Sequence, residues 1–213
     1  MTRISYGKTD QIILEAHLII APRYWRRFTA RLGRFLKASL NQECSVTPLY
    51  YSYDIEDLEI RICYIVSELS AFDAHIVAMR RIPGIVDTRV RVTLHGRIFP
   101  DNFKMLADSK QEFSSCHIFL KVSPRYDKLV WSRLERLSAA GGVCPVWLFR
   151  DYYEYDRDLT LRLIGPSPQR IRNYVESRVC GINGLQELRS KFMHGFVTII
   201  DNKRLIEMAG AFI

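Results

Sequence analysis

The side chains best suited to chemistry in this sequence are a run of basic residues without acidic neighbours. Between Ala16 and Gln42 there is no aspartate or glutamate. Helical spacings of four, four and three residues would place most of these cations on one face, where they could neutralise several phosphates. The alternative is that acidic residues of a neighbouring subunit or of the second copy pair with them. The sequence therefore predicts a nucleic-acid or polyanion surface at Arg23, Arg26, Arg27, Arg31, Arg34 and Lys37.

Histidines and cysteines form no recognisable catalytic pattern. The five histidines include no H-E-x-x-H pair, and the five cysteines are too widely spaced for a C-x-x-C metal or redox motif. The sequence also lacks a glycine-rich phosphate loop and a G-x-S-x-G nucleophile elbow. We therefore expect no metal, no cofactor and no enzymatic activity, and cysteines that serve as small buried hydrophobic residues.

Composition and charge exclude several classes of protein. The 213 residues are 48% hydrophobic and 25% charged, which is typical of a globular chain and not of a disordered one. No run approaches the roughly 18 to 20 apolar residues of a membrane helix, and the N-terminus lacks the apolar core of a secretory signal. We expect a soluble, cytoplasmic protein with no membrane partner. The net charge of +8 fits either an anionic partner or a solvated basic surface.

The sequence contains an internal repeat with a period of about 100 residues. Pro22-Arg23-Tyr24 recurs as Pro124-Arg125-Tyr126, and the segment 57–62 recurs as 158–163. Because the matched blocks keep one order, we predict a duplicated domain that comprises residues 1–106 and 107–213. The other blocks are Arg31-Leu32-Gly33-Arg34 with Arg133-Leu134-Glu135-Arg136, Ile82-Pro83-Gly84-Ile85 with Ile182-Asn183-Gly184-Leu185, His95-Gly96 with His194-Gly195, and Asp101-Asn102 with Asp201-Asn202.

Hydrophobic periodicity predicts the same order of elements in both copies. In the first copy, strands are expected at 11–21, 45–54, 58–66 and 86–94, the last with one apolar and one charged face, and helices are expected after Pro22 and from Ser70. Ser70 and Asp73 fit a capping box at the start of the second helix, and its counterpart in the second copy opens with Ser167-Pro168. This order predicts an α+β fold of two ferredoxin-like (βαββαβ) domains in tandem, whose four-stranded antiparallel sheets pack as an intramolecular pseudo-dimer. The segments 100–113 and 202–213 are expected to be short helices or arms that cross to the other copy.

The second half of the first copy resembles the effector-binding and oligomerisation domain of the leucine-responsive (Lrp/AsnC) regulators. The resemblance rests on Asp57 at the start of a strand, the turn Pro83-Gly84-Ile85 and the pair Thr88-Arg89. The family's helix-turn-helix has no room here, because the first strand begins by about residue 11. The resemblance therefore implies a tandem duplicate of this domain without a helix-turn-helix.

The resemblance implies a non-enzymatic regulatory protein, acting by sensing a small amino-acid-type ligand, by oligomeric assembly or by both, in the setting of transcription regulation. It implies ligand contacts at Asp57, Thr88, Asp158 and Ser190. The partners would be the chain itself, as pseudo-dimer or higher homo-oligomer, and a small effector. The alternative is an RNA- or ribosome-associated protein that binds the phosphate backbone through the basic helix. Because some relatives of the family are decarboxylases of haem synthesis, an activity of that kind is a third alternative.

Overall fold

Ten β-strands and four α-helices make up the secondary structure of a computed structural model that describes residues 12–40, 45–93, 96–99, 102, 113–151 and 157–199. The helices are α1 (Trp25–Leu40), α2 (Leu69–Arg80), α3 (Asp127–Glu135) and α4 (Pro168–Arg178). The strands are β1 (Ile12–Ile20), β2 (Val46–Asp54), β3 (Glu59–Val66), β4 (Ile85–Thr93), β5 (Gly96–Ile98), β6 (Ser114–Val122), β7 (Cys144–Arg150), β8 (Leu159–Gly165), β9 (Leu185–Met193) and β10 (Gly195–Thr198).

The strands form two five-stranded sheets, in the orders β10-β2-β3-β1-β4 and β5-β7-β8-β6-β9. In the second sheet β6 pairs antiparallel with both β8 and β9, and β7 pairs antiparallel with β8. This is the arrangement that a strand-helix-strand-strand-helix-strand order produces. The predicted α+β class is confirmed, whereas the packing of the copies as a pseudo-dimer stays a prediction.

Each sheet has five strands, so the prediction of four was wrong. The fifth strand of the second sheet is β5, which lies within the predicted first copy and pairs antiparallel with β7 through Gly96 and Phe149. Strands of three and four residues carry too little alternation to be recognised in a sequence. The arms predicted over 100–113 and 202–213 lie almost wholly outside the described residues.

The described residues divide into two compact units. The first unit holds those within Met1–Tyr51, Glu56–Val92 and Thr198–Ile213, and the second holds those within Ser52–Ile55 and Thr93–Val197. The predicted domain boundary after residue 106 falls outside the described residues, so the domain limits remain a prediction. No helix in the described ranges has both the length and the apolar character needed to cross a membrane.

The core of the second unit lies between its helices and one face of its sheet. Alternate residues of β6, namely Cys116, Ile118 and Leu120, are fully buried on that face. The helices bury Trp131 of α3 and Tyr174 of α4 against them, each with apolar neighbours one turn away. Burial of a large apolar side chain contributes about 1.5 to 3 kcal/mol, so these helices are held by packing.

Two predicted local features need correction. Helix α2 begins at Leu69 and has Glu68 at its N-cap, so Ser70 is not the cap. The apolar side of β4 is exposed, with Val86 at 68% relative accessibility, so its alternation does not mark a buried face. The predicted cap of α4 is confirmed, because the Ser167 hydroxyl accepts a hydrogen bond from the Arg170 amide at 3.3 Å.

A glycine-tyrosine contact recurs in both copies and explains two of the repeated motifs. Gly84 and Gly184 have φ values of +115° and +101°, which favour glycine. A Cβ at Gly184 would lie 2.3 Å from the Cβ of Tyr126, and one at Gly84 would lie 2.6 Å from that of Tyr24. The Gly184 carbonyl also accepts a hydrogen bond from the Ser123 amide at 2.9 Å. The tyrosine of the Pro-Arg-Tyr motif and the later glycine therefore recur together because they pack against each other.

We expect Gly184→Ala to lower the free energy of unfolding by about 3 kcal/mol, because the new methyl group meets the Tyr126 side chain and the backbone is strained. Gly141→Ala is the matched control, since Gly141 also has positive φ but has no atom within 4 Å of an added Cβ. Its expected cost is about 1 kcal/mol from backbone strain alone. Urea unfolding measures the free energy of unfolding of both variants. An equal loss in the two would show that the contact with Tyr126 adds no cost at position 184.

Candidate functional site

A cleft of about 430 Å³ opens in the second unit. Strand β6 ends there, the chain turns through a 3-10 turn at Pro124–Tyr126 into α3, and the hairpin between β7 and β8 closes beside it. The hairpin is closed by a hydrogen bond from the Asp151 amide to the Asp158 carbonyl at 2.9 Å. We call this the ion-pair cleft, and its walls are formed by Val122, Pro124, Asp127, Arg150, Asp151 and Asp158.

Arg150 is fixed in the cleft from two sides. Its Nη1 donates a hydrogen bond to Asp127 Oδ1 at 2.6 Å, and its guanidinium carbon lies 4.7 Å from the centre of the Trp131 ring. Asp127 is in the first turn of α3, where a carboxylate interacts favourably with the helix dipole. A carboxylate and an aromatic face together hold the guanidinium in one plane.

The other two carboxylates of the cleft are engaged in structural contacts. Asp158 accepts hydrogen bonds from the Val122 amide at 2.7 Å and from Lys121 Nζ at 3.3 Å. Asp151 is buried, accepts a hydrogen bond from the Thr160 hydroxyl at 2.5 Å, and lies 3.6 Å from Arg157 Nε. Each carboxylate therefore faces a cation, and these acids hold the walls in place.

The first copy lacks this arrangement. At the spacing of 102 that relates the two Pro-Arg-Tyr blocks, Trp25 occupies the position of Asp127, and Thr29 occupies that of Trp131. Neither the carboxylate nor the aromatic ring that fixes Arg150 has a counterpart. The ion-pair cleft is therefore a feature of the second copy alone, although the surrounding backbone is repeated.

A second polar cluster lies on the helix-free face of the second sheet. His117 and Arg162 are fully buried cross-strand neighbours, with 3.1 Å between His117 Nδ1 and Arg162 Nη2. Because a guanidinium can only donate, Nδ1 is the acceptor and the ring proton is on Nε2. In the first sheet, His17 and Arg61 are the equivalent cross-strand pair. The two histidines are 100 residues apart, which is the period of the repeat, so the sequence contained a signal for this pair that was not used to predict it.

The His-Arg pair has a glutamate partner in the first copy, and a threonine occupies the matching position in the second. In the first, His17 Nε2 lies 3.0 Å from Glu59 Oε1, and Arg61 Nε donates to the same carboxylate oxygen. Thr160 replaces Glu59 in the second copy, and its hydroxyl contacts Asp151 in the wall of the ion-pair cleft. The buried polar face of the second sheet is thereby connected to the cleft.

The four predicted ligand contacts lie on different elements of the two units. Asp158 lines the ion-pair cleft, as described above. Asp57 is exposed in the turn between β2 and β3, and Thr88 is half-buried on β4, where its amide donates to Asp87. Ser190 is exposed on β9 and lies opposite Ile118. Their role in binding stays a prediction.

The predicted basic face of α1 is present. Phe28, Leu32 and Leu36 are fully buried, so the helix turns its apolar side inward. The opposite side carries Arg23 from the preceding 3-10 turn and Arg26, Arg27, Arg34 and Lys37 as exposed residues, with Arg31 half-buried. The exposure of these cations agrees with the sequence interpretation, whereas their binding of a polyanion stays a prediction.

The ion-pair cleft offers no axial ligand to a haem group, which the decarboxylase alternative would imply. A haem iron needs an axial ligand such as histidine, cysteine, methionine or tyrosine at the wall of its cavity. The ion-pair cleft has none of these among its lining residues, and α3 and α4 carry no histidine. Within the described part of the chain, no group of three or more metal-ligating side chains could hold a metal ion.

Three cysteines are inert packing residues, as expected. Cys63, Cys116 and Cys144 are buried, whereas Cys180 is exposed and contradicts the expectation, and Cys44 lies outside the described residues. Burial raises the pKa of the Cys116 and Cys144 thiols to about 12. Both therefore remain thiols at neutral pH and are not nucleophiles.

Comparison with known proteins assigns the fold but no family. No family model matches the sequence, and neither does any curated protein. A putative monooxygenase from Fusobacterium nucleatum matches 91% of this chain and 94% of its own at 11% identity, with a TM-score of 0.62. One from Lactobacillus acidophilus matches 90% and 99% at 10% identity, with a TM-score of 0.58. A mutant chlorite dismutase from Candidatus Nitrospira defluvii matches 95% and 97% at 9% identity, with a TM-score of 0.57.

These matches overturn the predicted family and function. The fold is that of the monooxygenase and chlorite dismutase structures, so the assignment to Lrp/AsnC effector domains was wrong. The predicted non-enzymatic transcription regulator and its RNA- or ribosome-associated alternative were wrong as well, because the matching proteins are named as enzymes. The physical reason is that Gly84, a central residue of the resemblance, is required by Tyr24 packing in this backbone whatever the family.

His75 of α2 belongs to an aromatic cluster. It packs between Phe35 and Phe72, and its Nε2 lies 3.3 Å from the Tyr64 hydroxyl. Burial lowers the pKa of His75 from 6.5 to about 4. The ring is therefore neutral at pH 7 and packs as an aromatic residue.

His75 should make the stability of the protein dependent on pH. Because its folded-state pKa lies below the unfolded value, protons bind the unfolded chain more tightly, and stability falls as the pH drops from 6.5 towards 4. After allowance for partial exposure, we expect a loss of about 2 kcal/mol, and His75→Phe should remove that component. Urea unfolding at pH 7 and pH 4.5 tests this, with His17→Gln as control. An unchanged pH dependence in His75→Phe would contradict it.

Proposed function

We propose that this protein is an enzyme that binds a small molecule bearing a carboxylate or another oxyanion in the ion-pair cleft, with Arg150 as the anion-binding group. The observation that carries the proposal is the double anchoring of Arg150 by Asp127 and Trp131 at a cleft of about 430 Å³. A volume of that size accommodates a small organic molecule.

Arginine is suited to this role by its geometry. Its guanidinium has five N–H donors in a rigid fork that matches the two oxygens of a carboxylate. Asp127 already contacts Nη1 and shows that the fork accepts a carboxylate from the cleft side. The Arg150 side chain is 19% exposed, so its charge is partly desolvated and acts more strongly on an anion than it would in water.

The comparisons support an enzyme over a structural protein. The matches extend over nine-tenths or more of both chains, and the matching proteins are named as monooxygenases and as a chlorite dismutase. Chlorite is itself a small oxyanion, which is the class of ligand that Arg150 favours. An oxyanion substrate of this kind is what the cleft of the present protein is proposed to bind.

The residues of the cleft can bind, orient and polarise such a substrate. Arg150, held in advance by Trp131 and Asp127, would stabilise negative charge without reorganising when the charge develops. Val122 and Pro124 form an apolar part of the wall and keep water from that side. Asp151 and Asp158, fixed by their own partners, hold the β7–β8 hairpin that carries Arg150.

The experiment measures anion binding to the wild type and to Arg150→Met. Titration with chlorite, phosphate, acetate and benzoate is followed by Trp131 fluorescence and by melting temperature, because a ligand that binds the folded state raises it. Loss of charge-assisted hydrogen bonds worth about 1.5 to 3 kcal/mol should weaken binding roughly 10-fold to 100-fold in Arg150→Met. Trp131→Phe identifies the fluorescence signal.

Arg97→Gln is the matched control for the removal of an arginine. Arg97 forms a more exposed ion pair with Glu135, 3.7 Å away, also in the second unit. Its loss should leave every anion affinity unchanged. If no anion binds the wild type, or if Arg150→Met binds as tightly as the wild type, the proposed role of the cleft is wrong.

A further inference from the structure

Strand β4 lies at an edge of the first sheet and exposes apolar side chains there. Its one neighbour among the described strands is β1, and it is nine residues long. Val86, Val90 and Val92 are 68%, 43% and 41% exposed, and they share one side of the strand because side chains alternate. A long edge strand with exposed β-branched residues is suited to pairing with another strand.

The second copy carries polar residues at the matching edge. At the repeat spacing of 100, Gln186 corresponds to Val86 and Ser190 corresponds to Val90. Both polar residues are exposed on β9, which is the edge strand of the second sheet. One backbone position is therefore polar in one copy and apolar in the other. This difference indicates that the edge formed by β4 is covered by a partner.

The backbone groups of Thr88 are engaged by side chains. The Thr88 amide donates to Asp87 Oδ1 at 2.8 Å, and the Thr88 carbonyl accepts from Arg80 Nη2 at 3.3 Å. In an antiparallel ladder, the amide and the carbonyl of one residue lie on the same side of the strand. Both groups therefore point to the outer edge of β4, where a second strand can bind them.

The second sheet shows the same direction at the residue that corresponds to Thr88. Leu188 of β9 lies opposite Leu120 of β6. The Leu120 carbonyl accepts a hydrogen bond from the Asp158 amide, on the side of β8, so it points away from β9. Opposite residues in an antiparallel pair either exchange both hydrogen bonds or make neither. Leu188 therefore turns its own amide and carbonyl to the outer edge, as Thr88 does.

The side chains around Thr88 match those of an identical strand. Antiparallel pairing about a two-fold axis at Thr88 places Asp87 opposite Arg89 of the second copy, and Val86 opposite Val90. Within one chain, Arg89 Nε lies 3.0 Å from Asp87 Oδ2, and both side chains are exposed. Each charge in the paired edge thus has an opposite charge along its own strand and another across the contact.

This pattern also fixes the register. A two-fold axis moved by one residue would place Arg89 or Asp87 opposite the same residue of the other copy, and like charges directly opposite destabilise a strand pair. A contact between identical strands has to be self-complementary in this way. The charges therefore favour a second copy of this chain over an unrelated strand.

We propose that β4 binds β4 of a second copy of this chain, antiparallel about Thr88, and joins the two first sheets into one. Val86 and Val90 are then covered by the valines of the other copy. Because a contact along one strand edge buries a small area, the dimer should exchange with the monomer at micromolar concentrations. The ion-pair cleft is lined by other residues, so this contact is independent of the proposed function.

The first test is the mass of the full chain in solution, measured by analytical ultracentrifugation across the micromolar range. We expect the wild type to change from monomer to dimer as its concentration rises. The double variant Val86→Gln, Val90→Ser introduces the residues of the second copy and should weaken dimerisation roughly 10-fold or more, since each change acts twice across the axis. A wild type that stays monomeric, or a double variant that dimerises as well as the wild type, would overturn the proposal.

The second test exchanges the charges and examines the register. Asp87→Arg alone and Arg89→Asp alone should each weaken the dimer, because each places like charges opposite one another. The two substitutions together restore the alternation and should recover most of the affinity. The melting temperature of each variant shows whether it is folded.

Glu187→Arg is the matched control for the charge exchange. Glu187 and Arg189 repeat the acid-arginine pattern on β9, where the flanking residues are polar. Dimerisation should be unchanged in this variant. If Glu187→Arg weakens the dimer and Asp87→Arg does not, or if the double charge exchange fails to restore it, β4 is not the contact strand in the proposed register.

Discussion

The contact between Gly184 and the ring of Tyr126 determines where α3 begins, and the ion-pair cleft depends on that start. Tyr126 ends the 3-10 turn and is the N-cap of α3, and Asp127 is the next residue. A side chain at Gly184 would push on Tyr126 and move the helix start with it. The position of Asp127, and through it that of Arg150, is therefore set by a residue far away in sequence that does not line the cleft.

Comparing the two copies separates the residues that the packing of the fold requires from the residues that occur only at the cleft. The tyrosine and glycine of this contact occur in both copies, as does the backbone hydrogen bond to the glycine carbonyl. Asp127 and Trp131 occur only in the second copy, where Trp25 and Thr29 are their counterparts in the first. A duplicated domain can keep its packing in both halves and develop a polar site in one, because the fold needs only the former.

The sequence predicted the repeated architecture well because its signals were local. Apolar periodicity, a Ser-Pro helix start and the Pro-Gly or Asn-Gly turns located most strands and helices close to their observed ends. Strand β5 was missed because three residues have no readable pattern, and its partner β7 is about 50 residues away. The cap of α2 was misplaced because Ser70 and Asp73 fit a capping box that the helix, starting at Leu69, does not use.

The cleft could not be predicted from the sequence, because its residues come from separate elements. Arg150 and Asp127 are 23 residues apart and belong to a strand and a helix, so only the folded backbone shows that they meet at 2.6 Å. Asp158 was predicted from the sequence as a ligand contact. In the structure its carboxylate accepts a hydrogen bond from the Val122 amide, which is a contact within the fold.

The same distinction explains the wrong family assignment. A turn with positive φ followed by a strand recurs wherever this backbone recurs, so a motif built on it reflects the backbone and not the function. Residues that the backbone does not require carry the information about function. In this chain the residues proposed for function are Arg150 with Asp127 and Trp131, and the latter two have no like residue at the matching positions of the first copy.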